Sequence, residues 1–105
     1  MATESGERGY GAWVRRLLGD IRLRVEPHQS VEADADFREA LALADELEMR
    51  PLQARCRLGL GILYRRTGRP DEARAELATA IAMLSAMGMA FWLPEAEREL
   101  AEASR

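Results

Sequence analysis

The sequence predicts an all-α protein of antiparallel helical hairpins, and three observations lead to that prediction. The commonest of the 105 residues are alanine (18), arginine (15), leucine (14) and glutamate (13), which favour helices over strands. Apolar residues recur with the spacing of one helix face. The same pattern returns at an offset of about 40 residues. Together these observations predict about five helices stacked as a short repeat array.

The repeat is clearest when residues 33–50 are aligned with residues 73–90, where five of eighteen positions are identical and Phe37 aligns with Leu77. A second set of apolar positions lies between these segments, and it has counterparts 42 residues earlier and 40 residues later. The set is Leu52, Cys56, Leu60 and Leu63, with earlier counterparts Tyr10, Val14, Leu18 and Ile21 and later ones Trp92, Ala96, Leu100 and Ala103. We expect Leu18, Phe37, Leu60 and Leu77 to lie in a shared core.

Prolines and glycines set the predicted helix ends. The first helix stops before Pro27, because a residue that precedes proline avoids the helical conformation. Ser30 is a suitable N-cap for the second helix, and Pro51 and Pro94 suit the first turns of the third and fifth. Gly68 follows the third helix. The predicted organisation is a disordered tail (1–7) and a repeat domain (8–105) that comprises a hairpin (8–48), a second hairpin (51–87) and a capping helix (91–103).

Small and large residues at particular positions resemble the signature of the tetratricopeptide repeat. The second hairpin has Leu60-Gly61-x-x-Tyr64 followed by Ala73, Leu77 and Ala80, and the first has Leu18-Gly19 followed by Ala33, Phe37 and Ala40. The resemblance implies a right-handed solenoid of helical hairpins. A glycine where two helices cross admits a large side chain from the neighbouring helix, and Phe37 and Leu77 are the candidates.

Three stretches resemble the C-terminal repeat arrays of bacterial signalling proteins that carry a cyclase or regulatory ATPase module. They are residues 38–61, 63–68 and 89–93. This resemblance implies a non-catalytic interaction scaffold, a regulatory or partner-binding segment without a cofactor, because the chain has no cyclase or nucleotide-binding motif. The chain departs from the family in its period of about 40 residues and in having Arg22 where the second hairpin has Tyr64.

Charge alternates between the predicted helices. The first has five arginines and one aspartate, residues 50–69 have six arginines and no acid, and the second helix has seven acids and one arginine. In tetratricopeptide arrays the first helix of each hairpin lines the concave face, so the resemblance implies a basic groove. Its predicted partner-binding residues are Trp13, Arg16, Asp20, Arg55, Leu58, Ile62, Arg65 and Arg66. Either the groove binds an acidic or carboxylate-bearing peptide, or the basic and acidic helices neutralise each other.

Composition also excludes several classes of function. The net charge of −3 lacks the positive excess of a nucleic-acid binder, and no apolar run is long enough to span a bilayer. Residues 1–11 have no apolar core, so no signal peptide is expected, and a single cysteine favours the cytoplasm. His28 reads as a surface loop residue and Cys56 as a core residue, so no metal site or catalytic residue is predicted.

The ends of the predicted array differ in polarity. The fifth helix is rich in glutamate and suits a cap, whereas the end at Tyr10 and Trp13 has none. This difference favours an alternative function, a structural module that forms homo-oligomers through Tyr10, Trp13, Phe91 and Trp92. A small-molecule sensor is a weaker third interpretation, because two hairpins hardly enclose a pocket.

Overall fold

The computed structural model describes residues 4–25 and 30–104. The elements are α1 (Glu4–Val25), α2 (Ser30–Glu46), α3 (Arg50–Arg66), α4 (Pro70–Ala86), a 3₁₀ turn (Ala90–Trp92) and α5 (Leu93–Ala103). These two ranges contain no β-strand. The predicted all-α architecture of about five helices is therefore confirmed.

The five helices form two layers. Each helix packs against the next one in the sequence, and short loops make consecutive helices antiparallel. Helices α1 and α3 also touch each other, as do α3 and α5, whereas α2 and α4 make no contact within the described chain. The stack is therefore tighter on the side of α1, α3 and α5, which makes that side concave.

Three loops of the same form join α2 to α5. One residue in each has a positive φ: Glu48 (55°), Gly68 (78°) and Gly88 (68°). The amide of the following residue donates a hydrogen bond to a carbonyl in the last turn of the helix, as in a Schellman motif. These bonds are Met49 to Ala44 (2.8 Å), Arg69 to Tyr64 (2.8 Å) and Met89 to Leu84 (2.9 Å). The structure confirms the helix end predicted at Gly68, and the 20-residue spacing of the loops gives the 40-residue repeat.

Two helix boundaries differ from the prediction. Helix α1 begins at Glu4, so residues 4–7, which were predicted to belong to the disordered tail, are helical. Extending an existing helix adds one hydrogen bond per residue without a new nucleation cost. Helix α2 ends at Glu46 because Glu48 has left the helical conformation. Residues 1–3, and the loop with Pro27 and His28, lie outside the described residues.

Glycines at the helix crossings give the core its shape. The Phe37 ring is fully buried and lies between Gly19 of α1 and Gly59 of α3. A Cβ atom added at Gly59 would come within 2.4 Å of the ring, and one at Gly19 within 3.2 Å. At Gly61 an added Cβ would come within 2.5 Å of Leu77. The prediction that Phe37 and Leu77 fill the space left by glycines is confirmed.

The core does not extend over the outer side of α1. Phe37, Leu60 and Leu77 are buried as predicted, but Leu18 is 38% exposed, so the prediction for Leu18 is wrong. Its counterpart Leu60 is covered by α2, whereas no described element covers the same side of α1. The apolar pattern of α1 is therefore that of a packing surface without a partner.

Candidate functional site

The concave side of the stack forms a shallow groove where α1, α3 and α5 meet. We call this surface the groove, and its lining residues are Arg16, Asp20, Arg24, Arg55, Leu58, Gly59, Ile62, Trp92 and Glu95. The enclosed part has a volume of about 20 Å³, room for about one water molecule. The groove therefore suits a ligand that lies across its surface.

Five of the eight predicted partner-binding residues line the groove, namely Arg16, Asp20, Arg55, Leu58 and Ile62. The other three lie outside that lining. The Trp13 ring centre is 5.7 Å from the Arg16 guanidinium carbon. Arg65 donates a 2.6 Å hydrogen bond to Glu99 of α5, and Arg66 donates one of 3.2 Å to the carbonyl of Leu23.

Arg55 lies over an aromatic ring at the centre of the groove. Its guanidinium carbon is 3.6 Å from the centre of the Trp92 ring, which holds the cation by a cation–π contact. Burial, followed by the positive charge of Arg16, lowers the pKa of Arg55 below its ordinary value. Within residues 4–25 and 30–104 no carboxylate forms an ion pair with Arg55. Arg55 is thus a partly buried cation to which no described carboxylate is bound.

The charges beside Arg55 are only partly compensated. Arg24 bridges Asp20 and Glu95, each at 3.4 Å, and this network joins α1 to α5. Arg16 is largely buried, lies 3.8 Å from Asp20, and has an Nε atom without a hydrogen-bond partner. Three arginines and two carboxylates line the groove, so its net charge is +1. The uncompensated charge is concentrated at Arg16 and Arg55.

Elsewhere the basic and acidic helices form ion pairs across the hairpins. Arg15 of α1 lies 3.2 Å from the buried carboxylate of Asp36 on α2, and Arg22 lies 3.4 Å from the same carboxylate. Arg57 of α3 pairs with Glu76 of α4 at 3.1 Å. Mutual neutralisation, the second of the two interpretations of the charge pattern, thus accounts for these arginines.

The eight predicted partner-binding residues do not include Arg24, Gly59, Trp92 and Glu95, which also line the groove. The 40-residue offset relates Glu95 to Arg55, so the repeat itself carried a signal for Glu95. The same offset aligns Trp92 with Leu52, which is fully buried, and so placed the tryptophan in the core. The 3₁₀ turn before α5 gives Trp92 a different environment, under Arg55.

The four residues predicted to mediate self-association belong to two separate elements, α1 and the 3₁₀ turn. Tyr10 and Trp13 are exposed on α1, and Tyr10 has 74% of its surface in solvent. Phe91 is exposed on the 3₁₀ turn and meets Trp92 edge to face, with ring centres 4.9 Å apart. The two aromatic pairs therefore lie at different places in the stack.

Other chemistry-bearing groups are few. Cys56 is fully buried, and burial raises the pKa of its thiol to about 12, so the thiolate needed for nucleophilic chemistry does not form near neutral pH. No cluster of three or more metal-ligating side chains occurs among the described residues. None of the helices in this part of the chain has the length and hydropathy required to cross a bilayer.

The fold and groove define a helical-repeat protein of stacked hairpins. The sequence model of the tetratricopeptide repeat matches residues 12–86, which is more than half of the chain. The chain therefore belongs to the tetratricopeptide repeat family. Repeats of this family generally mediate protein–protein interaction and are typically non-catalytic. No curated protein and no solved structure matches the chain significantly.

Proposed function

We propose that the groove binds an acidic or carboxylate-bearing peptide segment, with Arg55 as the principal anchor and Arg16 beside it. The observation that carries this proposal is the partly buried Arg55 guanidinium, which lies on Trp92 without a carboxylate partner among the described residues. Removing a cation from water without a counter-ion is costly, so an incoming carboxylate gains the stabilisation that the free domain lacks.

The geometry around Arg55 favours a single carboxylate over a run of acids. Asp20 and Glu95 already engage Arg24, and both repel further negative charge at the edge of the groove. Leu58 and Ile62 line the floor beside Arg55. We therefore expect a peptide in which one carboxylate meets Arg55 while its neighbours extend over apolar side chains.

The experiment measures binding of a fluorescein-labelled six-residue peptide by fluorescence anisotropy. This one-glutamate peptide has a single glutamate among alanines and leucines. We expect Arg55→Gln to weaken binding about tenfold or more, because the charge-assisted hydrogen bonds are lost. The matched control is Arg98→Gln, which removes an exposed arginine from α5 outside the groove and is expected to change the affinity less than about twofold.

The salt dependence of the same binding curve gives a second outcome. Binding through arginine and carboxylate weakens as salt rises, since partly exposed charges are screened. An affinity that does not change with salt, or equal losses in Arg55→Gln and Arg98→Gln, contradicts the proposal. The same peptide with glutamine in place of its glutamate provides the uncharged control, and it is expected to bind too weakly to measure.

We further propose that the chain acts in the cytoplasm as the interaction segment of a bacterial signalling protein. The support is the resemblance of residues 38–61, 63–68 and 89–93 to repeat arrays joined to cyclase or ATPase modules. Tagged wild-type and Arg55→Gln proteins are purified from bacterial cells that produce the chain. Recovery of a signalling enzyme with the wild type and its loss with Arg55→Gln support the proposal, and equal recovery contradicts it.

A further inference from the structure

The outer side of α1 carries a continuous apolar stripe, which we call the α1 stripe. Its residues are Tyr10, Trp13, Val14, Leu17, Leu18 and Ile21, all of them more than one-third exposed. The counterparts of Tyr10, Val14, Leu18 and Ile21 in α3 are buried, because α3 packs between α2 and α4. These counterparts are Leu52, Cys56, Leu60 and Leu63. The α1 stripe is therefore built like a surface on which another helix packs. From its geometry we infer that a second copy of this chain covers it, forming an antiparallel α1–α1 dimer.

The sequence of the stripe reads the same in both directions. Tyr10, Val14, Leu17 and Ile21 are separated by four, three and four residues. When two copies of α1 cross antiparallel about a two-fold axis, Tyr10 faces Ile21 of the other copy and Val14 faces Leu17. Trp13 and Leu18 lie on opposite flanks of this central row. A surface that is complementary to itself in this way is what a closed dimer requires.

The arginines of α1 do not interrupt the stripe, because carboxylates engage four of them and the fifth, Arg16, lines the groove. Arg8 pairs with Glu46, and Arg15 and Arg22 pair with Asp36. Arg24, at the end of the stripe, is held by Asp20 and Glu95 in the groove network already described. Two stripes therefore meet without burying an unpaired charge. Burying an unpaired charge would strongly destabilise the contact.

The charged surface at the other end of the stack disfavours a head-to-tail contact. The solvent-facing side of α5 exposes Glu97, Arg98 and Glu102. Packing an α1 stripe on that side would cover charged groups with apolar ones, and the contact would also repeat without closing. Only the head-to-head arrangement places apolar surface on apolar surface.

The area of the stripe sets the expected strength of the dimer. A large side chain buries about 150–250 Å² when it is fully covered, so the six partly exposed side chains offer about 500 Å² per copy. Two copies then bury ~1,000 Å², close to the lower limit of specific interfaces. We therefore expect a weak dimer with a dissociation constant of ~10–100 μM.

Sedimentation equilibrium of the full chain from low to high concentration tests the oligomeric state. The expected result is a monomer–dimer equilibrium. Leu17→Glu places two like charges near the two-fold axis and is expected to weaken the dimer about 100-fold. Circular dichroism should remain unchanged, because Leu17 is 49% exposed in the single chain. The matched control is Val31→Glu on α2, which is 77% exposed outside the stripe and is expected to leave dimerisation unchanged.

Oxidative cross-linking tests the register. The double variant Tyr10→Cys/Ile21→Cys should form covalent dimers, whereas either single variant should not, because the two positions meet only across the antiparallel axis. The buried Cys56 does not compete. A chain that stays monomeric at about ten times the expected dissociation constant overturns the inference. A dimer that survives Leu17→Glu, cross-linking by single variants, or oligomers larger than two also overturn it.

The dimer and the groove can be tested separately, because Leu17 does not line the groove and Arg55 does not belong to α1. Arg55→Gln is expected to dimerise like the wild type, and Leu17→Glu is expected to bind the one-glutamate peptide like the wild type. A variant that loses peptide binding is therefore expected to keep the dimer, and a variant that loses the dimer is expected to keep peptide binding.

Discussion

The Phe37 ring of α2 lies directly against the backbone of Gly59 in α3, closer than a methyl group at that position would allow. This contact joins the first hairpin to the second, because Phe37 also packs on Gly19 of its own hairpin. Close approach of the helices on this side fixes the relative positions of α1 and α3. Gly59 also lines the groove, so the shape of the groove depends on the contact between Phe37 and Gly59.

Gly59→Ala is expected to destabilise the protein by about 1–3 kcal/mol, because the added methyl group must displace a fully buried ring. Urea denaturation followed by circular dichroism measures the free energy of unfolding. Gly11→Ala is the matched control, since a Cβ atom there meets nothing within 4 Å. It is expected to stabilise the helix by about 0.5–1 kcal/mol. Equal effects of the two substitutions would show that Phe37 does not occupy the space at Gly59.

Glu48→Gly is expected to stabilise the protein by about 0.5–1 kcal/mol. Glu48 has a φ of 55°, a conformation in which a side chain is strained and glycine is not. The equivalent loops already have glycine, and Gly68→Ala is therefore expected to destabilise by a similar amount. The midpoint of thermal unfolding measures both variants. A lower midpoint for Glu48→Gly would mean that the strain at this loop is absent in solution.

Glu99→Gln is expected to cost about 1–3 kcal/mol of stability, because it breaks a charge-assisted bond of 2.6 Å from Arg65 to a largely buried carboxylate. That bond attaches the capping helix α5 to α3. Glu39→Gln gives the control: its pair with Arg15 is 3.4 Å long and both side chains are exposed, so the expected change is below about 0.5 kcal/mol. Urea titrations in which Glu39→Gln costs as much as Glu99→Gln would contradict this assignment.

The Cys56 thiol is expected to react with a disulfide reagent at pH 8 at least about 100-fold more slowly in the native protein than in urea. Burial raises its pKa to about 12, above its ordinary value, so the native thiol stays protonated at a pH where the unfolded thiol is partly ionised. Absorbance of the released thiolate measures the rate. A native rate equal to the rate in urea would place Cys56 outside the core.

Much of the fold follows from residue spacing that is visible in the sequence. The 40-residue offset pairs Phe37 with Leu77, and both are fully buried against glycines, as the pattern predicted. Spacing does not reveal whether a helix face has a neighbour. For that reason the same reasoning wrongly predicted that Leu18 lies in the core.

The groove was less predictable than the fold, because its chemistry depends on side-chain pairing across helices that are far apart in the sequence. Arg55 and Arg65 have the same formal charge and lie on the same helix. Arg65 meets Glu99, whereas Arg55 meets the ring of Trp92. A charge count along α3 treats the two arginines as equivalent. Only the packing of α5 distinguishes them.

The central claim is that the concave groove is an interaction surface whose anchor is the Arg55 guanidinium on Trp92. Titration of the ¹⁵N-labelled chain with the unlabelled one-glutamate peptide, followed by nuclear magnetic resonance, tests it most directly. With this peptide as the ligand, we predict that the Arg55 Nε–H and Trp92 indole N–H signals shift together and saturate, while the amide signals of α4 stay in place. No shift at these two groups, or shifts confined to α2 and α4, would contradict the account.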